Sequence, residues 1–405
     1  MFPLFDTSTL LERLENHVAH KTLPGIICAV SARLMGGYFS CKTADIDEAL
    51  SHSLDSGTVE VEGITDSAAL NEWQKACLLS WYGFHQYPGE GHTARVAVLV
   101  RKAYQYGLHQ IDNEANRTSY GWDFLSEEWL EDWRRVWWCL YFLDCYVSFS
   151  AGIPHQVELQ SVRTALLRHS PLSELSQGFQ FKIYVPPDLA SLWETILGIS
   201  AMQSTEGFSL HLAVSNLLKE ALIIDRLHKQ NPCQSARQRM SILEDHLFAV
   251  QLSLPTNYLR CTQDLPGEES DSSYHSRLLV LLKFFSTRFL VRYPWYPLDA
   301  NEWATRWQET LEICYRITAI LQRWDAQYLR AVDPAVGFIA LSSLVCLHLH
   351  SFSTGIFDAP LREQLDRRKR IVRLFLQRYA TYWSLPRLLL GKSPCLSTCF
   401  AYLWR

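Results

Sequence analysis

Asp144 is the residue in most need of a chemical account. It stands within WWCLYFLDCYVSF (137–149), where nearly every neighbour is apolar. A carboxylate is costly to bury unless it is paired or hydrogen-bonded. Arg134 and Arg135 lie almost three helical turns earlier, too far along one helix to reach it. Its partner is therefore expected from another segment, as a structural ion pair ahead of a ligand contact or a general acid–base role. Other groups invite metal or redox readings. Cys346 and His350 share a helical face but His348 points away, so the three do not converge on one ion and read as satisfied core or interface groups. Cys395 and Cys399 also share a face, yet two thiols alone are a weak metal or redox signal. Gly89-Glu90-Gly91 precedes a helix with no βαβ context and reads as a turn. The sequence contains no G-x-S-x-G elbow, phosphate loop or H-E-x-x-H. No catalytic, cofactor-binding or metal-ligating set is expected.

The strongest basic cluster is Arg367, Arg368, Lys369 and Arg370, within PLREQLDRRKRIVRLFLQRY. Leu365, Ile371, Leu374 and Phe375 recur there at helical spacing, so the first reading is the solvated face of an amphipathic helix. The functional alternative is a nuclear-import cluster. Over all 405 residues the net charge is −4, which provides no general field for nucleic-acid phosphates. The eleven cysteines include no C-x2-C pair, so a zinc-cluster framework is not encoded in this chain. Their odd number, without a recognisable leader, suggests reduced thiols in an intracellular compartment. The most apolar stretch, PAVGFIALSSLVCLHLHSF, is interrupted by Ser342, Ser343, His348 and His350 and is expected to be a buried helix rather than a membrane span.

The elements that must carry these residues are helical. With 48% hydrophobic residues, fourteen tryptophans and eighteen tyrosines, the chain can build an extensive core. Thr9 and Glu12 suggest a capping box ahead of Leu11, Leu14 and Val18. Pro24 suits the first turn of a helix that Gly36-Gly37 would stop. Asp66 or Ser67 can cap a helix whose apolar face is Leu70, Trp73, Cys77 and Trp81. Gly107 fits the left-handed position that ends the next helix, with Leu108 folding back on the last turn. In SEEWLEDWRRVWWCLYFLDCYVSFSAGIP, Ser126 is an N-cap, Glu127 and Glu128 suit the helix dipole, and Gly152 and Pro154 end the run. From Val136 onward almost every face of this helix is apolar, so it should pass through the core. Residues 156–185 read as loop-rich, more helices follow, and DLPGEESDSS (264–273) is the clearest exposed loop.

The same central stretch carries a family resemblance. DWRRVWWCLYFLDCYVSFSAGIP resembles the R-R-x-W-W-x-L-x-x-L-D-R-Y-x-S-x-x-x-G-R-P pattern of the fungal-specific transcription factor domain, or middle homology region. Arg134, Arg135, Trp137, Trp138, Leu140, Leu143, Asp144, Tyr146, Ser148, Gly152 and Pro154 occupy the matching places. LVRKAYQYGLHQID is similar to the family's A-x-x-x-G-L-H-R-D helix end, through Ala103, Gly107, Leu108 and His109. LNEWQKACLLSWYGFH and FPLFDTSTLLERL resemble the segments before it. Cys145 and Ile153 stand where the family pattern has arginine. Members usually begin with a six-cysteine binuclear zinc cluster, whereas this chain starts almost at the regulatory domain.

The resemblance implies an all-α fold of stacked antiparallel helices in one large, superhelix-like domain. Residues 1–165 would be its N-terminal part and 166–405 its helical continuation. It implies a nuclear transcription regulator, with a specialised metabolic gene cluster as the expected target, and a family role in DNA binding. Zinc enters only with a cluster that these residues do not contain, and DNA contact would come from a missing segment or a partner. Other transcription factors or a second copy are the expected partners, with a small-molecule effector and no membrane. The alternatives are a co-regulator or scaffold binding a full-length factor, and an enzyme reusing the fold on an apolar metabolite.

Overall fold

The computed structural model describes residues 4–5, 10–13, 22–35, 42–55, 64, 66–167, 182–201, 207–230, 234–254, 258–259, 270–294, 299–353 and 359–391. Every regular element among the described residues is helical and none is a strand, so the chain is all-α. It divides into two compact units, Phe2–Pro187 and Asp188–Arg405.

The first unit contains α1 (Thr22–Met35), α2 (Thr43–Asp55), α3 (Ser67–Gln86), α4 (Glu90–Gln105) and α5 (Glu127–Ala151), with short helical turns between them. Local chemistry sets their ends. The Asp66 carboxylate accepts the Ala69 N–H at 2.7 Å and caps α3. Gly89, Glu90 and Gly91 form the turn into α4, where Glu90 sits in the first turn. Gly107 follows that helix with φ +72°, and a Cβ there would lie 2.3 Å from the Tyr120 ring, so only glycine fits. Leu108 beside it is fully buried. Ser126 caps α5 by accepting the Trp129 N–H. At the far end Gly152, with φ +67°, donates to the Ser148 carbonyl. Between those caps every residue from Val136 to Asp144 is buried. That all-round burial places α5 in the core of its unit, packed against α3 and α4.

The second unit contains α6 (Leu192–Ala201), α7 (Phe208–Gln230), α8 (Gln234–Ser253), α9 (Asp271–Arg292), α10 (Ala300–Gln322), α11 (Ala335–Ser353), α12 (Ala359–Tyr379) and α13 (Ser384–Gly391). Helix α9 is its centre and packs on α7, α8, α10 and α11. The stretch Ala335–Phe352 in α11 is long and apolar enough to cross a membrane by length and composition, with mean hydropathy 1.7. Two-thirds of it is buried against protein, which is the packing of a core helix.

One boundary differs from the sequence expectation: helix α9 begins at Asp271, inside the stretch expected as loop, because Ser270 caps it by accepting the Ser273 N–H at 3.1 Å. Helices α2 and α13 are additions to the elements expected from the sequence. Residues 264–269, Thr9, Leu14, Val18, Gly36, Gly37, Cys395 and Cys399 lie outside the described residues.

Candidate functional site: the Arg134 clasp

The motif residues of α5 point in several directions, and Arg134 takes the innermost one. Its side chain has no solvent exposure, and it forks onto Asp112, Nε to Oδ2 at 2.8 Å and Nη2 to Oδ1 at 2.6 Å. The remaining donors reach back along its own helix, Nη2 to Glu127 at 2.6 Å and Nη1 to Glu131 at 2.8 Å. A bidentate arginine–carboxylate pair of this kind combines charge with fixed geometry. Asp112 is delivered by the left-handed turn at Gly107 and the single turn Leu108–Gln110 that follows. It also accepts the Ala165 N–H at 2.9 Å and Lys182 Nζ at 2.7 Å.

These contacts tie the chain after α4 to the chain after α5. The Asp112 N–H donates to the Arg163 carbonyl, and the Arg163 N–H donates to the His109 carbonyl. The Thr164 hydroxyl donates to the Leu108 carbonyl at 2.6 Å and accepts the Ile111 N–H. Trp138 of α5 donates from Nε1 to the Ala165 carbonyl at 2.7 Å, and the Gln110 amide donates to the Ser161 carbonyl. Residues 161–165 are therefore strapped across the core helix by side chains from two elements.

The electrostatics match a lock rather than a reactive centre. Burial raises the Asp112 carboxyl, but Arg134, Lys182 and the Ala165 N–H outweigh it and hold its pKa at about 2. Burial lowers the Arg134 pKa, and the carboxylates around it reverse that and push it above the ordinary value. Asp112 therefore remains a carboxylate at neutral pH, with each of its oxygens already accepting two donors. His109 packs 4.5 Å from the Tyr104 ring and 6.1 Å from Trp137, and burial depresses its pKa to about 4, so it is neutral there.

The other motif residues serve neighbouring joints. Arg135 faces Asp132, which also pairs with Arg13 from the N-terminal helical turn (10–13). Asp144 finds its partners where its own helix ends: it accepts the Gln156 N–H at 3.1 Å and the Val157 N–H at 3.1 Å, with His155 Nδ1 3.5 Å away. It holds the reversal after Gly152 and exposed Pro154 through backbone amides, assisted by the Ser148 hydroxyl on the Ile153 carbonyl at 2.6 Å. Tyr146 is buried against Phe84 and Phe142.

A second buried cluster, which the sequence reading missed entirely, lies in the other unit. Asp333 caps α11 through the Ala335 N–H and accepts Lys283 Nζ at 2.8 Å and His211 Nε2 at 3.1 Å. Lys283 also donates to the Ser215 hydroxyl at 3.0 Å. Burial, with Lys283 adding to it, lowers the His211 pKa to about 3, so the imidazole is neutral here too. The cluster joins α7 and α9 to the start of α11.

The remaining candidates do not converge on either cluster. Arg368 stacks 4.0 Å over the Tyr315 ring and Lys369 pairs with Asp366 at 2.7 Å, while Arg367 and Arg370 are exposed on α12. His350 Nδ1 accepts the Trp307 indole N–H at 3.1 Å, and Cys346 is buried beside Cys314. No group of three His, Cys, Asp or Glu able to hold a metal ion occurs among the described residues.

The family model for the fungal-specific transcription factor domain matches residues 60–288, more than half of the chain, from just before α3 into α9. The chain belongs to that family. No curated protein and no solved structure gives a significant match. In this fungal-specific transcription factor domain the family-motif positions Arg134, Trp138 and Asp144 all act on the segment that leaves α5. Cys145 and Ile153 stand where the resemblance expects arginine, and among the described residues the cations on Asp112 are Arg134 and Lys182.

Proposed function

We propose that the chain is the regulatory region of a nuclear transcription regulator. The observation that carries this reading is the family match over residues 60–288. The geometry agrees with it, because the motif residues hold a folded surface in shape and keep their charges internally paired. Net charge −4 favours DNA contact supplied by a partner or by a segment outside these residues. The domain would then pass state, or a bound effector, to that partner.

The test is chromatin occupancy of the tagged full-length protein in a fungal host, combined with transcript profiling after deletion of its gene. The expected result is nuclear protein enriched at promoters whose transcripts change on deletion. The changed transcripts would show whether the targets form a specialised metabolic gene cluster. A tagged protein absent from the nucleus, with transcripts unaltered by deletion, would contradict the proposal.

A further inference from the structure

The sequence marks Arg367, Arg368, Lys369 and Arg370 as one basic tetrad, and helix α12 takes it apart. Arg368 lies over the Tyr315 ring and donates to the Tyr315 carbonyl, while Lys369 pairs with Asp366. Arg367 and Arg370 turn outward instead. There they are joined by Arg373, Leu374 and Arg378, all exposed. Spacings of three and four residues keep these five on one broad side of α12, along about 16 Å of its axis. The opposite side packs inward through Leu365, Val372, Phe375, Leu376 and Tyr379.

The charge on that side is not balanced within the helix. From Arg367 to Tyr379 the sequence contains no acidic residue. The carboxylates of α12, Glu363 and Asp366, fall in earlier turns, and Asp366 is taken by Lys369. Arg367, Arg370, Arg373 and Arg378 form no ion pair among the described residues. Their field reaches the neighbouring helix: burial lowers the His348 pKa on α11, and Lys369 and Arg373 lower it further. The helix dipole favours Arg378 in the last turn, but Arg367, Arg370 and Arg373 stand three residues apart and repel one another. Leu374, 48% exposed, sits among them. An exposed leucine is ordinary by itself; surrounded by unpaired arginines it makes the apolar centre and polar rim of a contact surface.

The complement of this surface is acidic and amphipathic. Carboxylates match the planar guanidinium forks, and an apolar side chain is needed for Leu374. Duplex DNA would meet the arginines but offers Leu374 nothing, and the net charge of −4 works against its approach. We propose that the exposed side of α12 is a docking surface for an acidic, amphipathic segment of a partner protein, held by Arg367, Arg370, Arg373 and Arg378 around Leu374.

Fluorescence anisotropy of labelled probes titrated with the full chain at physiological salt tests it. The probes are a synthetic amphipathic peptide of Glu and Leu, a scrambled peptide of the same composition, and a random-sequence DNA duplex. The amphipathic peptide should bind, and the scrambled one at least about tenfold more weakly. Arg370→Glu and Leu374→Asp should each weaken binding at least about tenfold. Circular dichroism and Tm should stay unchanged, since both side chains are exposed. Arg101→Glu, the same charge change at an exposed position of α4, should leave binding unaltered. An amphipathic peptide that fails to bind at about 0.1 mM would overturn the proposal. So would binding indifferent to Arg370→Glu and Leu374→Asp, an equal loss with Arg101→Glu, or tighter binding of the duplex than of the peptide.

Discussion

Removing the Arg134 guanidinium would strand Asp112, Glu127 and Glu131 around a buried space, with Lys182 the one cation left on Asp112 among the described residues. Breaking a buried pair from one side costs about 3–5 kcal/mol. Arg134→Met should therefore destabilise the first unit by about that amount in denaturant unfolding, and Arg134→Lys should not rescue it, because an ammonium cannot reproduce the fork. An unfolding midpoint equal to wild type would show that the clasp does not hold the fold. The histidines give a pH test. His109 falls from 6.5 to about 4 and His211 from 6.5 to about 3 in the folded chain. Below pH 6.5 the unfolded chain takes up protons that the folded chain refuses, so stability is full above that pH and declines as pH falls toward those lower values. Tm should drop between pH 7 and pH 5, and His109→Gln should reduce the drop; a flat profile would contradict the account. Arg134 and His109 were legible in the sequence from the motif. Asp112 and Lys182 were not, because their partners lie 22 and 70 residues away and no periodicity encodes such pairs. His211 and Lys283 were hidden for a related reason: on apolar helices they resemble ordinary polar interruptions.

Element ends were the most legible feature. Asp66, Gly107, Ser126 and Gly152 each do in the fold what their residue type predicts at a helix boundary. The full burial of α5 also followed from its all-round apolar sequence. Helix α2 escaped because TADIDEALSHSLD is mostly polar and has only a narrow apolar stripe, so packing on α1 and α3 rather than local pattern defines it. Asp144 was recognised as a buried carboxylate needing partners, but backbone amides just beyond its own helix were not foreseen. Its role belongs to the end of α5, where Asp144→Asn should cost about 1–3 kcal/mol by weakening charge-assisted bonds. Hydrogen exchange at the Gln156 and Val157 amides should accelerate while exchange in the middle of α5 is retained. Unchanged protection at those two amides would remove Asp144 from this role.

For the molecule as a whole, the all-helical class and the family were both readable from the ordered motifs between Leu70 and Pro154. The long-range polar clusters of each unit were not, since they depend on which helices meet. The central claim is that this chain belongs to a transcription factor family and acts as a regulatory region. Its most direct test tethers the full chain to a heterologous DNA-binding module and reads a reporter gene placed downstream of that module's site. The account predicts that reporter output changes, up or down, with the tethered wild-type chain and returns toward baseline with Arg134→Met. A reporter that responds no differently to the tethered chain than to the DNA-binding module alone, with the fusion folded and present in the nucleus, would contradict it.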